Sequence, residues 1–406
     1  MDYRVKFSTS QIKGTIKLPF SKSISNRLLV IRALTSKYFQ IHNISESDDT
    51  VLMNKAFLNN DAEVNIGHAG TAMRFLTAFF SSTEQKKIIT GSERMKNRPI
   101  GELVDALNSL GAEIEYLEKQ GYPPVETSGK PLVGKEIKLR GSISSQYITA
   151  LLLIAPVLPE GLTIHISDTL ISSSYVKLTL GIMKDFGIKS SWENNTISIP
   201  HQQYSSHDYS IEADWSGASY WYSIAMLSDT AEIVLYGLFQ DSFQGDASIV
   251  RLFEKLGITT EYISDGVVLR KSDVCCNYFT FDFIDNPDMV QTFVVSLCLK
   301  GIPFRLTGAQ TLRIKETDRI IALQQEMLKL GFVIQETQPG VLEWDGTKNS
   351  VDTEISIETY DDHRMALAFA PAALIYPGIV IKDAQVVSKS YPEYWKDIQS
   401  VGAILE

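Results

Sequence analysis

Ile320-Ile321-Ala322-Leu323-Gln324-Gln325-Glu326-Met327-Leu328-Lys329-Leu330-Gly331-Phe332-Val333-Ile334 carries apolar side chains at helical spacing, then a glycine, then a short alternating run. Such a glycine stands where a helix needs a left-handed C′ residue before the chain turns into a strand. The pattern recurs at Leu103–Tyr116, Leu178–Trp192, Ile249–Tyr262 and Tyr394–Leu405. The glycines Gly111, Gly187, Gly257, Gly331 and Gly402 are 76, 70, 74 and 71 residues apart. This period is too regular for chance and too long for a solenoid unit. A weaker, glycine-free copy at Leu52–Val64 makes six. Six such units, each mixing helices with short strands, predict an α/β protein of two pseudo-threefold lobes with three units apiece. Glu212-Ala213-Asp214-Trp215-Ser216-Gly217-Ala218-Ser219 introduces a helix near mid-chain and is the expected crossing between lobes.

The 406 residues exceed what one core usually serves, so at least two domains are expected. With 44% hydrophobic and 21% charged residues, the chain reads as an ordinary soluble protein. Its first residues lead into no apolar signal core, and Thr149–Pro159 and Met365–Tyr376 are too short to span a bilayer. A cytoplasmic location is therefore expected. Cys275, Cys276 and Cys298 show no metal-ligand spacing and read as structural. A net charge of −10 argues against nucleic acid or an anionic membrane as partner. A small anionic ligand is still allowed, provided the cations gather locally.

Several clusters supply such cations. Lys315-Glu316-Thr317-Asp318-Arg319, read as helix, puts Lys315 and Arg319 on one face with Glu316 about 100° away, although a helix start laced with ion pairs has the same composition. Ser21-Lys22-Ser23-Ile24-Ser25-Asn26-Arg27 gathers hydroxyls and two cations at a helix N-terminus, where the dipole favours anions and where a plain serine cap is the alternative. Gly67-His68-Ala69-Gly70-Thr71-Ala72-Met73-Arg74 lets backbone approach a ligand, or is a tight turn. Arg98-Pro99 places a cation at a helix entrance, and Ser144-Ser145-Gln146 offers hydroxyl and amide groups at another. Asp285-Asn286-Pro287-Asp288 flanks a turn proline with carboxylates, Asp362-His363-Arg364-Met365 heads a helix, and Lys389 precedes the last repeat. No spacing suggests a catalytic metal, and the dinucleotide and Walker glycine patterns are absent.

Taken in order, these motifs resemble the 5-enolpyruvylshikimate-3-phosphate synthase family over essentially the whole chain. The resemblance implies a two-lobed enolpyruvyl transferase fold of six βαβαββ-type units, with residues 1–18 and 213–406 in one lobe, 19–212 in the other, and the active site in the cleft. It implies shikimate 3-phosphate and phosphoenolpyruvate as substrates, no cofactor, and a monomer. Shikimate 3-phosphate would be held by Ser23, Arg27, Ser144, Ser145, Gln146, Ser172, Tyr175, Asp288 and Lys315. Phosphoenolpyruvate would meet Lys22, Gly70, Arg98, Gln146, Glu316, Arg319, Arg364 and Lys389. Pressing two multiply charged anions together requires cations in a water-poor site. Addition and elimination require proton carriers. Asp288 is expected near the attacking hydroxyl, Glu316 at C3, and Lys22 stabilising charge.

Some positions depart from the family pattern. His68 and Thr311 stand where asparagine is usual, and Phe75 where proline is frequent. The stretch from Asp49 to Asn65 is short by roughly two strands, so one unit is expected to be trimmed. Two alternatives share the fold: a transferase acting on UDP-N-acetylglucosamine, which typically carries a mobile-loop cysteine, and a non-catalytic anion-binding protein, which would have lost the carboxylates.

Overall fold

The five signature glycines all adopt positive φ, between 82° and 105°, and each leads within four residues into an edge strand of a four-stranded sheet. At Gly331 the cap is a Schellman motif: Gly331 N–H donates to Leu328 O at 2.9 Å and Phe332 N–H to Met327 O at 2.9 Å. The computed structural model describes residues 1–406 apart from Glu84, Val274 and Cys275. The chain divides into two compact units, Ser21–Ile211 and Met1–Phe20 with Glu212–Glu406.

Ser21–Ile211 contains helices α1 (Lys22–Leu34), α2 (Asp48–Leu58), α3 (Gly70–Ser81), α4 (Glu93–Lys96), α5 (Gly101–Ser109), α6 (Ser145–Ile154) and α7 (Ser173–Asp185). Two sheets have four strands each, in the orders Glu63–Asn65, Lys86–Thr90, Val125–Ser128, Ile114–Tyr116 and Glu136–Leu139, Leu162–Ile166, Thr196–Ile199, Ser191–Glu193. Each begins with a parallel pair and is extended by an antiparallel hairpin. The third sheet keeps only the parallel pair of Ile41–His42 with Tyr209–Ser210. Its missing hairpin would follow α2, whose cap Asn59 is extended rather than left-handed, so the chain runs directly into Glu63–Asn65. This is the trimmed repeat expected from the short Asp49–Asn65 stretch. Helices α1, α3 and α6 pack on one another and are buried nearly all round. Phe75, Leu76, Phe79 and Phe80 of α3 are each buried, contributing roughly 1.5–3 kcal/mol apiece.

The other unit repeats the plan with α8 (Trp215–Leu227), α9 (Ile249–Glu254), α10 (Val290–Lys300), α11 (Arg319–Lys329), α12 (His363–Phe369) and α13 (Tyr394–Ser400). Its three sheets are all four-stranded, and Gln11–Lys17 pairs in parallel with Thr230–Tyr236 along its whole length. Helices α8, α10 and α12 form the buried centre, where Phe293 of α10 stacks among Phe253, Phe279 and Phe283. In both units the central helices come from successive repeats, so their N-terminal ends are placed by the same geometry three times over.

Lys315–Arg319 is not the helix that its charge spacing suggests. Lys315 is extended, and α11 starts only at Arg319 because Asp318 caps it by accepting from the N–H groups of Ile320 and Ile321 at 3.2 Å. Among the described residues no helix is long and apolar enough to cross a membrane. Cys298 is buried in α10, where burial pushes its thiol pKa well up; Cys276 donates to Tyr278 O, and Cys275 lies outside the described residues.

Candidate active site

In the Ser21–Ile211 unit the expected residues gather at the N-terminal ends of helices. Ser21 caps α1 by accepting from Ile24 N–H, and Lys22 in the first turn pairs with the buried Asp49 of α2 at 3.2 Å. Arg27, one turn on, is buried. Its Nη1 donates to Ser23 O at 2.7 Å, Nε to Thr179 Oγ1 at 2.8 Å and Nη2 to Tyr175 O at 3.2 Å, so it ties α1 to α7. Burial lowers its pKa to about 10, which leaves it charged at neutral pH. Ser172, at the entry to α7, holds a left-handed φ of 54°. Ser144 caps α6 through Gln146 N–H, Ser145 is buried beside it, and the Gln146 amide donates to Thr71 Oγ1 at 3.2 Å, joining the starts of α6 and α3.

Gly70, first residue of α3, is in contact with the Arg98 guanidinium. A Cβ there would lie 2.5 Å from Nη1 and 2.8 Å from Cζ, so only glycine lets the cation rest on the helix start. Arg74 secures the same corner: its Nη1 donates to Gly70 O at 3.2 Å and its Nη2 to Pro99 O at 2.6 Å. The carbonyl of Pro99 also accepts from Tyr147 OH at 2.6 Å. His68 sits outside this arrangement, exposed, with Nδ1 3.0 Å from Ser92 Oγ.

In the other unit the expected residues form one ionic array around Arg319. Its Nε donates to Asp362 Oδ2 at 2.6 Å and its Nη2 to Asp362 Oδ1 at 3.1 Å, a bidentate clasp. Nη2 also meets Glu316 at 2.9 Å and Nη1 meets Asp288 at 3.2 Å. Glu316 is held from its second oxygen by Lys389 at 2.8 Å, and Asp288 by Arg364 at 2.8 Å with Lys315 at 3.8 Å. Lys315 and Arg319 thus meet through Asp288, not through a shared helix face. Arg364 reaches Tyr220 OH at 3.2 Å, and its N–H is capped by Asp362. Burial alone would lower the Arg319 pKa, but Asp362, Glu316 and Asp288 outweigh it and raise it.

Asp246 lies behind Asp288. It is buried, accepts from Ser216 and from Asn286 Nδ2 at 3.2 Å, and has its pKa raised to about 6, first by burial and then by the Asp288 charge. Four cations (Lys315, Arg319, Arg364, Lys389) therefore share three carboxylates (Asp288, Glu316, Asp362), while Asp246 bonds to neutral partners beside them. An anion entering this array competes with carboxylates for preset guanidinium groups, which suits release as well as capture. Among the described residues no group of three or more His, Cys, Asp or Glu could hold a metal ion.

The profile of the EPSP synthase (3-phosphoshikimate 1-carboxyvinyltransferase) family matches residues 7–59 and 54–398. The chain belongs to this family. It is 50% identical over 394 residues to the 3-phosphoshikimate 1-carboxyvinyltransferase of a Bacteroides fragilis strain, covering 97% of this chain and 96% of that protein. The Aliivibrio fischeri protein of the same name is 35% identical over 421 residues, covering 97% of each. The solved EPSP synthase of Acinetobacter baumannii shares the fold, with a TM-score of 0.80 at 20% identity, over 100% of this chain and 99% of that one.

Within this EPSP synthase scaffold, sequence reading missed the groups that hold the site residues in place. Asp49 pairs with Lys22, Arg74 holds the Gly70 and Pro99 carbonyls, Asp246 joins Ser216 to Asn286 beside Asp288, and Asp362 clasps Arg319. Phe75 lies beneath Arg27, with the guanidinium 5.6 Å from its ring centroid. Asp362 had a signal, being an acid at a helix start that also carries His363 and Arg364, whereas Asp49 sits beside Asp48 in a first turn without cations, where acids simply suit the helix dipole. Phe75 and Asp246 had none, because their partners lie on other elements.

Proposed function

We propose that the chain transfers the enolpyruvyl group of phosphoenolpyruvate to the 5-hydroxyl of shikimate 3-phosphate, releasing phosphate. The observation that carries this reading is the Arg319 array, where buried arginines and two partly exposed carboxylates stand side by side. The 5-hydroxyl oxygen attacks C2 of the enolpyruvate while C3 gains a proton. The tetrahedral adduct then loses that C3 proton and its phosphate, restoring the alkene.

In this reading Asp288 takes the hydroxyl proton and Glu316 serves C3, each role being worth about 10²–10⁴-fold in rate. Lys22 stabilises the charge that develops on the phosphate side. Arg98, Arg319, Arg364 and Lys389, with the backbone at Gly70, bind phosphoenolpyruvate. Ser23, Arg27, Ser144, Ser145, Gln146, Ser172, Tyr175 and Lys315 bind shikimate 3-phosphate. Both compact units contribute to one reaction, and the chain acts as a cytoplasmic monomer on small molecules alone.

Phosphate release from the purified protein tests this. Release is expected only with shikimate 3-phosphate and phosphoenolpyruvate together, and not when either is omitted or replaced by UDP-N-acetylglucosamine as acceptor. Silence with the first pair from folded protein would overturn the reading.

A further inference from the structure

The turn that delivers Asp362 to Arg319 is strained. Tyr360 and Asp361 are consecutive non-glycine residues at φ 53° and 54°, in the left-handed region that a Cβ disfavours. Such a conformation persists only where its surroundings over-determine it. The turn closes with Asp362 N–H donating to Thr359 O at 2.8 Å, and immediately beyond it the Asp362 carboxylate clasps Arg319 and caps Arg364.

What holds the turn lies on α11, seven residues and hence two helical turns after Arg319. Glu326 is wholly buried. Its Oε1 accepts from Tyr360 OH at 2.6 Å, and its Oε2 from Glu358 N–H at 3.1 Å and Lys329 Nζ at 2.6 Å. Lys329 in turn donates to Ser356 O at 2.8 Å. One buried carboxylate thus grips the segment just before the strained turn and the turn itself. Helix α11 holds Asp362 from two points, by Arg319 directly and by Glu326 through Tyr360.

We propose that Glu326 and Tyr360 are positioning residues for the phosphoenolpyruvate side of the site: they keep the Tyr360-Asp361 turn left-handed and so fix Asp362, Arg319 and Arg364 relative to one another. Neither is assigned a contact with substrate. The inference rests on the assignment of Arg319 and Arg364 to phosphoenolpyruvate.

Steady-state kinetics and thermal melting of Tyr360→Phe, Tyr360→Phe/Asp361→Gly and Arg364→Ala test it. Tyr360→Phe removes the bond to Glu326 and an exposed one to Gln325 Oε1 at 2.8 Å, both to helix α11, and keeps the ring. It is expected to raise KM for phosphoenolpyruvate by about 10- to 100-fold, the cost of a misplacement near 1 Å, while KM for shikimate 3-phosphate stays within about twofold. Glycine at 361 occupies the left-handed region without penalty, so the double variant should recover most of the loss. A lowered Tm with KM for phosphoenolpyruvate unmoved would show a merely structural bond and overturn the inference, as would a double variant with no recovery. Arg364→Ala separates the two levels. If it leaves that KM unmoved, the substrate assignment fails and the inference falls with it. If it raises KM while Tyr360→Phe does not, only the inference is overturned.

Discussion

Replacing Gly70 by alanine perturbs a single contact. The added methyl would stand 2.5 Å from Arg98 Nη1 and 2.8 Å from Cζ and Nη2, whereas ordinary van der Waals contact begins near 3.4 Å. The guanidinium must therefore retreat by about 1 Å, enough to break or stretch one charge-assisted hydrogen bond worth roughly 1.5–3 kcal/mol. At about 1.4 kcal/mol per decade, KM for phosphoenolpyruvate should rise about 10- to 100-fold. The backbone at Gly70 is helical and not left-handed, so alanine fits it and the fold should be as stable as before, or more so by up to about 1 kcal/mol. The assay is initial-rate phosphate release against each substrate, paired with a thermal melt. An unchanged KM for phosphoenolpyruvate with Tm maintained would refute the reasoning, because Arg98 would then not be the group that the methyl displaces from the substrate.

Other perturbations follow from the same geometry. Arg319→Lys keeps a charge but cannot reproduce the bidentate clasp on Asp362 together with Glu316 and Asp288, so stability should fall by about 3–5 kcal/mol in denaturant titration and turnover should collapse with it. Phe75→Ala removes the ring beneath Arg27 and leaves a cavity, expected to cost about 3–5 kcal/mol and to raise KM for shikimate 3-phosphate more than that for phosphoenolpyruvate. Asp246 has a folded pKa near 6 against an ordinary 3.8, so the folded state holds the extra proton between these values and its contribution to stability is lost as pH rises from about 4 to 6. Asp246→Asn cannot ionise, and its stability relative to the unsubstituted protein should therefore improve across that window, read by denaturant melts at pH 4 and pH 7.

Much of the fold was legible because left-handed helix ends select glycine strongly, so five glycines at a steady period mark five edge strands. The sixth unit was legible from its short Asp49–Asn65 stretch: α2 ends extended and the hairpin is absent. The cationic clusters were legible because helix N-termini concentrate polar residues into short runs. The reading failed at Lys315–Arg319, where charge spacing suggested a helix but Asp318 preferred to cap one. It noted Phe75 only as a departure without its contact to Arg27, and it did not find Asp246 or Glu326. Each acts on a residue of another element, and tertiary partnership of that kind leaves no periodic trace. Glu326 in particular looks like any polar residue of an amphipathic helix until the Tyr360 turn is seen packed against it.

Lys22 and Glu316 belong to different compact units and are proposed to act in one reaction, which a comparison of Lys22→Met with Glu316→Gln tests. Turnover with saturating shikimate 3-phosphate and phosphoenolpyruvate, measured well below the Tm of each variant so that the protein assayed is folded, should fall in each by about 10²–10⁴-fold. Near-normal turnover in either variant would contradict the claim that both clusters serve one reaction.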